Sequence, residues 1–345
     1  MKKLFITFFI LHSSFYILHA QNFAWKVDFL GFADNREYKS GVQIPQTMIG
    51  MRLTPLVGLR WNEHSFFAGA SALKEFGSSK GVDDIIPAAY YRFEGRDFDF
   101  RFGAFPRSET LGDFPAAFFS DSLSYYRPNI NGLFWQFKKY DNLRAGVFLD
   151  WTSRQTDTHR EAFIMGGSGL WRCYGIYYLK FNYYMYHRAG KAIDEPGDHI
   201  HDMGLGYYAV GADLSQYTKL DTIYVHAGLL QGMERRRGIG GWYYPRGLLL
   251  EAGAEYKNIG LKNTLYAGKG QQVFYNSYNP ERDLYWGDPF YRAKFYNRTD
   301  LYASLIHSDW VNARFDVSLH CSTGHWSWQQ QFILNVSLDN LKFKK

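Results

Sequence analysis

The sequence has little cysteine: Cys173 and Cys321 are the two among 345 residues. A disulfide scaffold and a cysteine-rich metal cluster are thereby excluded. Long apolar runs are missing too. Beyond the first twenty residues no stretch reaches the roughly 18 to 20 apolar residues of a membrane-spanning helix, so a helical bundle in the membrane is excluded. Charge of one sign is also scarce. The formal net charge of +6 falls to 6 − 2 = +4 if Lys2 and Lys3 leave with a leader, and the longest basic tract is Arg235-Arg236-Arg237. A nucleic-acid partner does not fit that distribution. What the chain holds in excess is rings: 29 Phe, 27 Tyr and 10 Trp make up 19% of it, enough apolar surface to exclude disorder.

Met1 to Ala20 reads as a secretory signal peptide, with two lysines, an apolar stretch and a small residue before Gln21. The expectation is an exported chain of one domain, 21–345, without a lipid anchor. From Phe23 onward apolar residues recur at every second position, the period of a strand with one face in an apolar medium. Val311, Ala313, Phe315, Val317, Leu319 and Cys321 alternate with Asn312, Arg314, Asp316, Ser318 and His320. The same pattern runs through Ile49, Met51 and Leu53, survives Pro55, and continues through Val57, Leu59 and Trp61.

Such segments lie near 22–32, 47–61, 65–74, 86–94, 97–106, 129–139, 143–154, 160–170, 176–187, 203–214, 220–231, 243–257, 259–270, 293–306, 310–321 and 326–339. The predicted fold is all-β: an antiparallel up-and-down transmembrane barrel of about sixteen strands, with 14 to 18 allowed. Connectors supply independent support. Those around Asn62-Glu63, Glu94-Gly95-Arg96, Tyr140-Asp141-Asn142, Lys257-Asn258 and Ser308-Asp309 are tight, whereas 33–46, 75–85, 107–128, 188–202, 232–242 and 271–292 are long. Short and long alternate, except at 155–159 and 322–325, which matches short periplasmic turns and long extracellular loops. Trp25, Trp61, Trp135, Trp151, Trp242, Trp310, Trp326 and Trp328 stand at strand ends, where rings form girdles at the lipid headgroups. Much of the aromatic excess is assigned to those girdles and to the lipid-facing wall, while the rings in 107–128 and 271–292 are expected to face no lipid.

With its long third loop, 107–128, the chain resembles a Gram-negative outer-membrane porin, in the aromatic style of Bacteroidetes-type barrels. The resemblance implies a cell outer membrane location and a third loop folded into the lumen. One departure is the end. Leu334, Val336 and Leu338 are followed by Asn340 and a lysine-rich tail, where the family often ends on a terminal Phe.

The inward face carries both signs: Lys26, Arg52, Arg60, Arg92, Arg101, Lys138, Arg144, Lys180, Arg298 and Arg314 against Asp28, Glu94, Asp99, Asp150, Asp213, Glu251, Glu255, Asp300 and Asp316. Opposed charges across a wet lumen select small polar solutes; the same pairs also serve to brace a wall. In the third loop Arg107, Glu109, Asp113, Asp121 and Arg127 are candidates for a constriction, packed to the wall by Phe114, Phe118, Phe119, Tyr125 and Tyr126. In the seventh, Tyr275, Tyr278, Tyr285, Trp286 and Tyr291 are candidates for binding a saccharide or another protein. Asp198-His199-Ile200-His201-Asp202 offers two imidazoles for one ion, but a solvated acidic loop suits it better and no metal or cofactor is expected.

His320 and Ser322 are similar to the His and Ser of outer-membrane phospholipases and lipid A deacylases. There the pair points at lipid, whereas here the alternation turns His320 inward. His307-Ser308 falls in a periplasmic turn, and Gly166-Gly167-Ser168-Gly169 lacks the context of a nucleophile elbow. The chain is therefore expected to be no enzyme. The cysteines, assigned to opposite sides of a hydrocarbon layer roughly 25 to 30 Å thick, are expected to be free. The leading reading is a passive channel for small polar or saccharide-like solutes, narrowed by 107–128. The alternatives are a closed barrel docking a lipoprotein, a glycan or further copies of itself, and, last, a hydrolase of outer-leaflet lipid.

Overall fold

The computed structural model describes residues 22–39, 43–140, 142–193, 197, 199–275, 285–322 and 324–340. The proposed leader and the tail beyond Asn340 fall outside them, as do Tyr278 and Asp198. The strands are β1 (Asn22–Glu37), β2 (Gln46–Trp61), β3 (His64–Glu75), β4 (Asp84–Glu94), β5 (Phe98–Pro106), β6 (Asn129–Lys139), β7 (Leu143–Ser153), β8 (Ala162–Cys173) and β9 (Tyr177–Arg188). They continue as β10 (His201–Asp213), β11 (Thr222–Arg236), β12 (Ile239–Tyr243), β13 (Arg246–Tyr256), β14 (Ile259–Gly268), β15 (Phe295–His307), β16 (Val311–Ser322) and β17 (His325–Asp339).

Apart from β12, each strand pairs antiparallel with the next along the chain, and β1 closes on β17 from Lys26↔Asp339 to Glu37↔Trp328. Of the 17 strands in the sheet, β12 stands outside the wall, because β13 pairs directly with β11 from Thr222↔Glu255 to Gln231↔Arg246. The barrel therefore has 17 − 1 = 16 strands. Closure leaves no open edge, the condition for a sheet in lipid.

Turns on one side are tight. Asn62, Tyr140, Tyr174 and Lys257 take φ between 49° and 56° there, the left-handed conformation that lets a chain reverse in two residues. Burial along the strands is inverted relative to a soluble protein. In β2 Ile49, Leu53, Val57 and Leu59 are exposed while Arg52, at 2%, is buried. The medium outside is lipid, so apolar side chains lose nothing by facing it. The expected division at 243–257 differs: Tyr244 and Pro245 separate β12 from β13, since proline donates no ladder hydrogen bond.

The rings are distributed differently from the expectation. Tyr184, Tyr207, Tyr266 and Tyr296 point into the lumen and are fully buried there with Phe105, Phe118, Phe290 and Tyr291. They pack the third and seventh loops against the wall. Cys173 ends β8 on the turn side, Cys321 lies in β16 near its opposite end, and both are free.

Candidate functional site

The third loop is clasped at its neck. Arg107 N–H donates to Pro128 O at 2.7 Å, its Nε to Arg127 O at 3.0 Å and its Nη2 to Asn129 O at 2.8 Å. The same guanidinium meets Asp150 of β7 at 2.5 Å. From this neck the loop descends into the lumen, and its charges reach separate parts of the wall. Glu109 bridges Lys26 of β1 and Arg101 of β5, and Arg101 continues through Asp99 to Arg92. Burial pushes the Glu109 carboxyl up, but the two cations outweigh it and hold it at about 2. Asp113 pairs with Arg144, and Asp121 meets Arg298 at 2.9 Å, which also meets Asp300 at 2.6 Å. Arg52 donates to Tyr125 O at 3.0 Å. Arg314 and Asp316 pair along their own strand, and Glu251 holds Lys262 at 3.3 Å away from the loop. The structure thus joins most of the sequence-derived lumen residues through the third loop, leaving Arg314, Asp316 and Glu251 apart.

The seventh loop lies against the third. Asp288 N–H donates to Ala116 O at 2.8 Å and Ser120 N–H to Trp286 O at 2.7 Å. Gly287 sits between these bonds, where a Cβ would stand 1.9 Å from Ala117 O, so no other residue fits. The Trp286 ring lies between the guanidinium groups of Arg107 and Arg127, at 5.0 and 4.9 Å. Tyr285 donates to Glu234 at 2.5 Å, Tyr275 lies under Arg292, and Tyr291 is buried against Tyr266 and Tyr296. Two cavities flank this double plug. One of about 470 Å³ opens toward the long loops, beside Arg107, Asp150 and Trp286. The other, of about 430 Å³, opens toward the short turns, between Asp113, Arg144, Lys180 and Glu251.

His320 and Ser322 face the lumen, each 1% exposed, with the imidazole stacked on Phe290 at 4.8 Å and Nδ1 bonded to Tyr296 at 2.8 Å. His199 and His201 do not converge: His199 Nδ1 meets Arg237 O, whereas His201 is buried beside Glu234.

A different histidine faces lipid. On β9 His187 shares the outward side with Tyr177, Leu179 and Phe181, and on β10 Asp202 shares it with Tyr208 and Val210, all of these apolar neighbours being exposed. Register sets Phe163, His187, Asp202 and Arg235 in one row across β8, β9, β10 and β11. His187 Nδ1 donates to Asp202 Oδ1 at 2.8 Å, the carboxylate fixing which ring nitrogen carries the proton. Arg235 Nε and Arg237 Nε each donate to Oδ2 at 2.8 Å, and the carboxylate raises the pKa of the Arg237 guanidinium. Trp151 stacks on Phe163 at one end of the row and Trp242 lies 4.4 Å from the Arg235 guanidinium at the other. Rings at this level mark the membrane interface on the long-loop side, the outer leaflet. Sequence reading missed the row because β10 begins at His201 and β11 runs to Arg236, both beyond the expected bounds, which puts Asp202 and Arg235 in strands. Alternation then gives the side chain's direction, but the neighbours follow only from register.

Over 92% of this chain the fold is similar to an anion-selective porin from Comamonas acidovorans, with TM-score 0.53, 11% identity and 99% of that chain covered. It is also similar to a loop-deletion form of OmpT from Vibrio cholerae, with TM-score 0.53, 9% identity and 92% and 100% of the two chains covered. No curated protein matches. The model of the lipid A 3'-O-deacylase-type family matches residues 16–345. The chain belongs to that family. The protein is thus an outer-membrane barrel of porin-like architecture within a family named for an enzyme. This overturns the expectation of no enzyme, which rested chiefly on the inward orientation of His320 and on the unsuitable context of the other Ser-containing motifs.

Proposed function

We propose that the chain hydrolyses an ester-linked acyl chain of lipid A in the outer leaflet, at the row His187–Asp202–Arg235–Arg237. The observation that carries this reading is a histidine–carboxylate pair on the outer wall at headgroup level, where a soluble substrate has no access and a lipid ester does. Asp202 accepts the Nδ1 proton of His187, which leaves Nε2 with a lone pair. Nε2 takes a proton from water as its oxygen attacks the ester carbonyl, and the imidazolium then returns that proton to the departing sugar oxygen. The products are a fatty acid and a free sugar hydroxyl. Arg235 engages Asp202 through Nε, so its terminal nitrogens remain for the carbonyl oxygen as negative charge develops on it, or for a neighbouring phosphate. The test is mass spectrometry of lipid A from cells expressing the chain. Loss of one acyl chain with the native protein, absent with His187→Ala, is expected; unchanged lipid A with the native, folded protein would refute the reading.

A second reading concerns the lumen. Charged cavities on both sides of the plug support slow passage of small polar or saccharide-like solutes, narrowed by loop 107–128 with Arg107, Glu109, Asp113 and Asp121. Planar-bilayer conductance tests it, and a folded barrel without channel steps would exclude it. Residues 1–20 are proposed to be the export leader, which N-terminal sequencing of the membrane protein checks.

A further inference from the structure

We infer that the cavity on the periplasmic side of the plug is a binding site for a small anionic sugar, independent of the outer wall. Its floor is one carboxylate with too many cations. Glu251 accepts from His226 Nε2 at 2.8 Å and faces Lys262 at 3.3 Å and Lys180 at 3.9 Å. Among the charged side chains that line the cavity, the two ammonium groups share the single carboxylate of Glu251, which leaves one positive charge in excess. The His226 ring is held in place between them, its Nδ1 paired with the Tyr178 hydroxyl at 2.8 Å and its Nε2 with the carboxylate. Farther out, Arg144 is matched by Asp113 and Arg172 by Asp213, at 2.8 Å for the latter, so the surplus stays with the lysines.

A second observation points to a ligand. Asn182 is 0% exposed, lines this cavity, and gives its Nδ2 to Asp113 O at 3.4 Å, while its Oδ1 accepts no hydrogen bond from the described residues. A buried carbonyl without a donor is destabilising unless something enters to supply one. A hydroxyl of a bound solute does so. Phe114 and Pro115 of the third loop cap the cavity, and Tyr178 and Tyr224 offer rings on its side. The volume of about 430 Å³ falls within the range of small-molecule sites and suits a sugar of one or two rings. Charge at the lysines, a hydroxyl donor at Asn182 and ring faces between them select a phosphorylated or carboxylated sugar over a bare anion or a neutral sugar.

The test is calorimetric titration of the detergent-purified barrel with glucose 6-phosphate, glucuronate, glucose and inorganic phosphate. At least one of the two anionic sugars is expected to bind about tenfold or more tightly than both glucose and phosphate, one charge-assisted contact being worth about that factor. Lys180→Gln and Lys262→Gln each weaken the anionic sugar by a similar factor without affecting glucose. Asn182→Leu weakens the sugar and leaves inorganic phosphate unchanged, which separates lost recognition from lost fold. Glucose binding as tightly as the anionic sugars would overturn the inference, and so would no heat with either anionic sugar from a barrel that keeps its heat-modifiable gel mobility. His187→Ala is expected to leave these titrations unaltered, so the two proposals stand or fall separately.

Discussion

Asp202 holds three partners on one carboxylate, and its replacement separates chemistry from architecture. Asp202→Asn keeps the shape but offers an amide in place of a charge. His187 is then free to take the wrong tautomer, and Arg235 and Arg237 lose their anchor. Deacylation is expected to fall on the order of 10²- to 10⁴-fold, measured as the fraction of lipid A lacking one acyl chain, while the barrel assembles normally. Gly287 makes the opposite prediction. The space for its Cβ is taken by Ala117 O, so Gly287→Ala pushes the third and seventh loops apart at a cost of about 1 to 3 kcal/mol. The expected readout is faster proteolytic cleavage within 107–128 with unchanged lipid A, because the wall row does not touch the plug.

The third loop is the element whose position depends most on charge. Glu109 joins β1 to β5 through Lys26 and Arg101, and its carboxyl is held at about 2. A carboxyl whose docked pKa lies below its free value of about 4.3 contributes docking strength above that free value. The contribution is lost as pH falls from about 4.3 toward about 2. The native protein is expected to lose plug order as pH falls from about 4.3 toward about 2, followed by a spin label at position 122, whereas Glu109→Gln is looser at neutral pH and flat across that range. A native profile as flat as the variant's would show that Glu109 does not hold the loop. Sequence reading named Arg107, Glu109, Asp113 and Asp121 from their type and loop. It left open which strand each would meet, and hence that the loop is laced to β1, β5, β7 and β15 rather than to one side.

At the scale of the whole molecule, the barrel presents two separate environments. Lipid meets the outer wall at the His187 row; water meets the lumen on either side of the plug. If small solutes pass, the resistance lies where Phe114, Phe118 and Phe119 pack against Phe148 and Tyr184. Deleting 112–122 is expected to raise single-channel conductance several-fold, and equal conductance with and without the segment would place the resistance elsewhere.

A barrel of about sixteen strands, the inward or outward side of most wall residues and the alternation of short and long connectors were legible in the sequence, because alternation is a local property that every residue of a strand repeats. His187 is outward by that rule, as are Asp202 and Arg235 once β10 is known to begin at His201 and β11 to run to Arg236. Their meeting was decided only by tertiary structure. It requires the register Asp202↔His187 and Asp202↔Arg235, and a slip of one residue would turn each side chain to the other face. The aromatic excess divides the same way. Its girdle members are legible from their places at strand ends, whereas the rings that fill the lumen depend on where two long loops fold, which long-range contacts settle and no local period encodes.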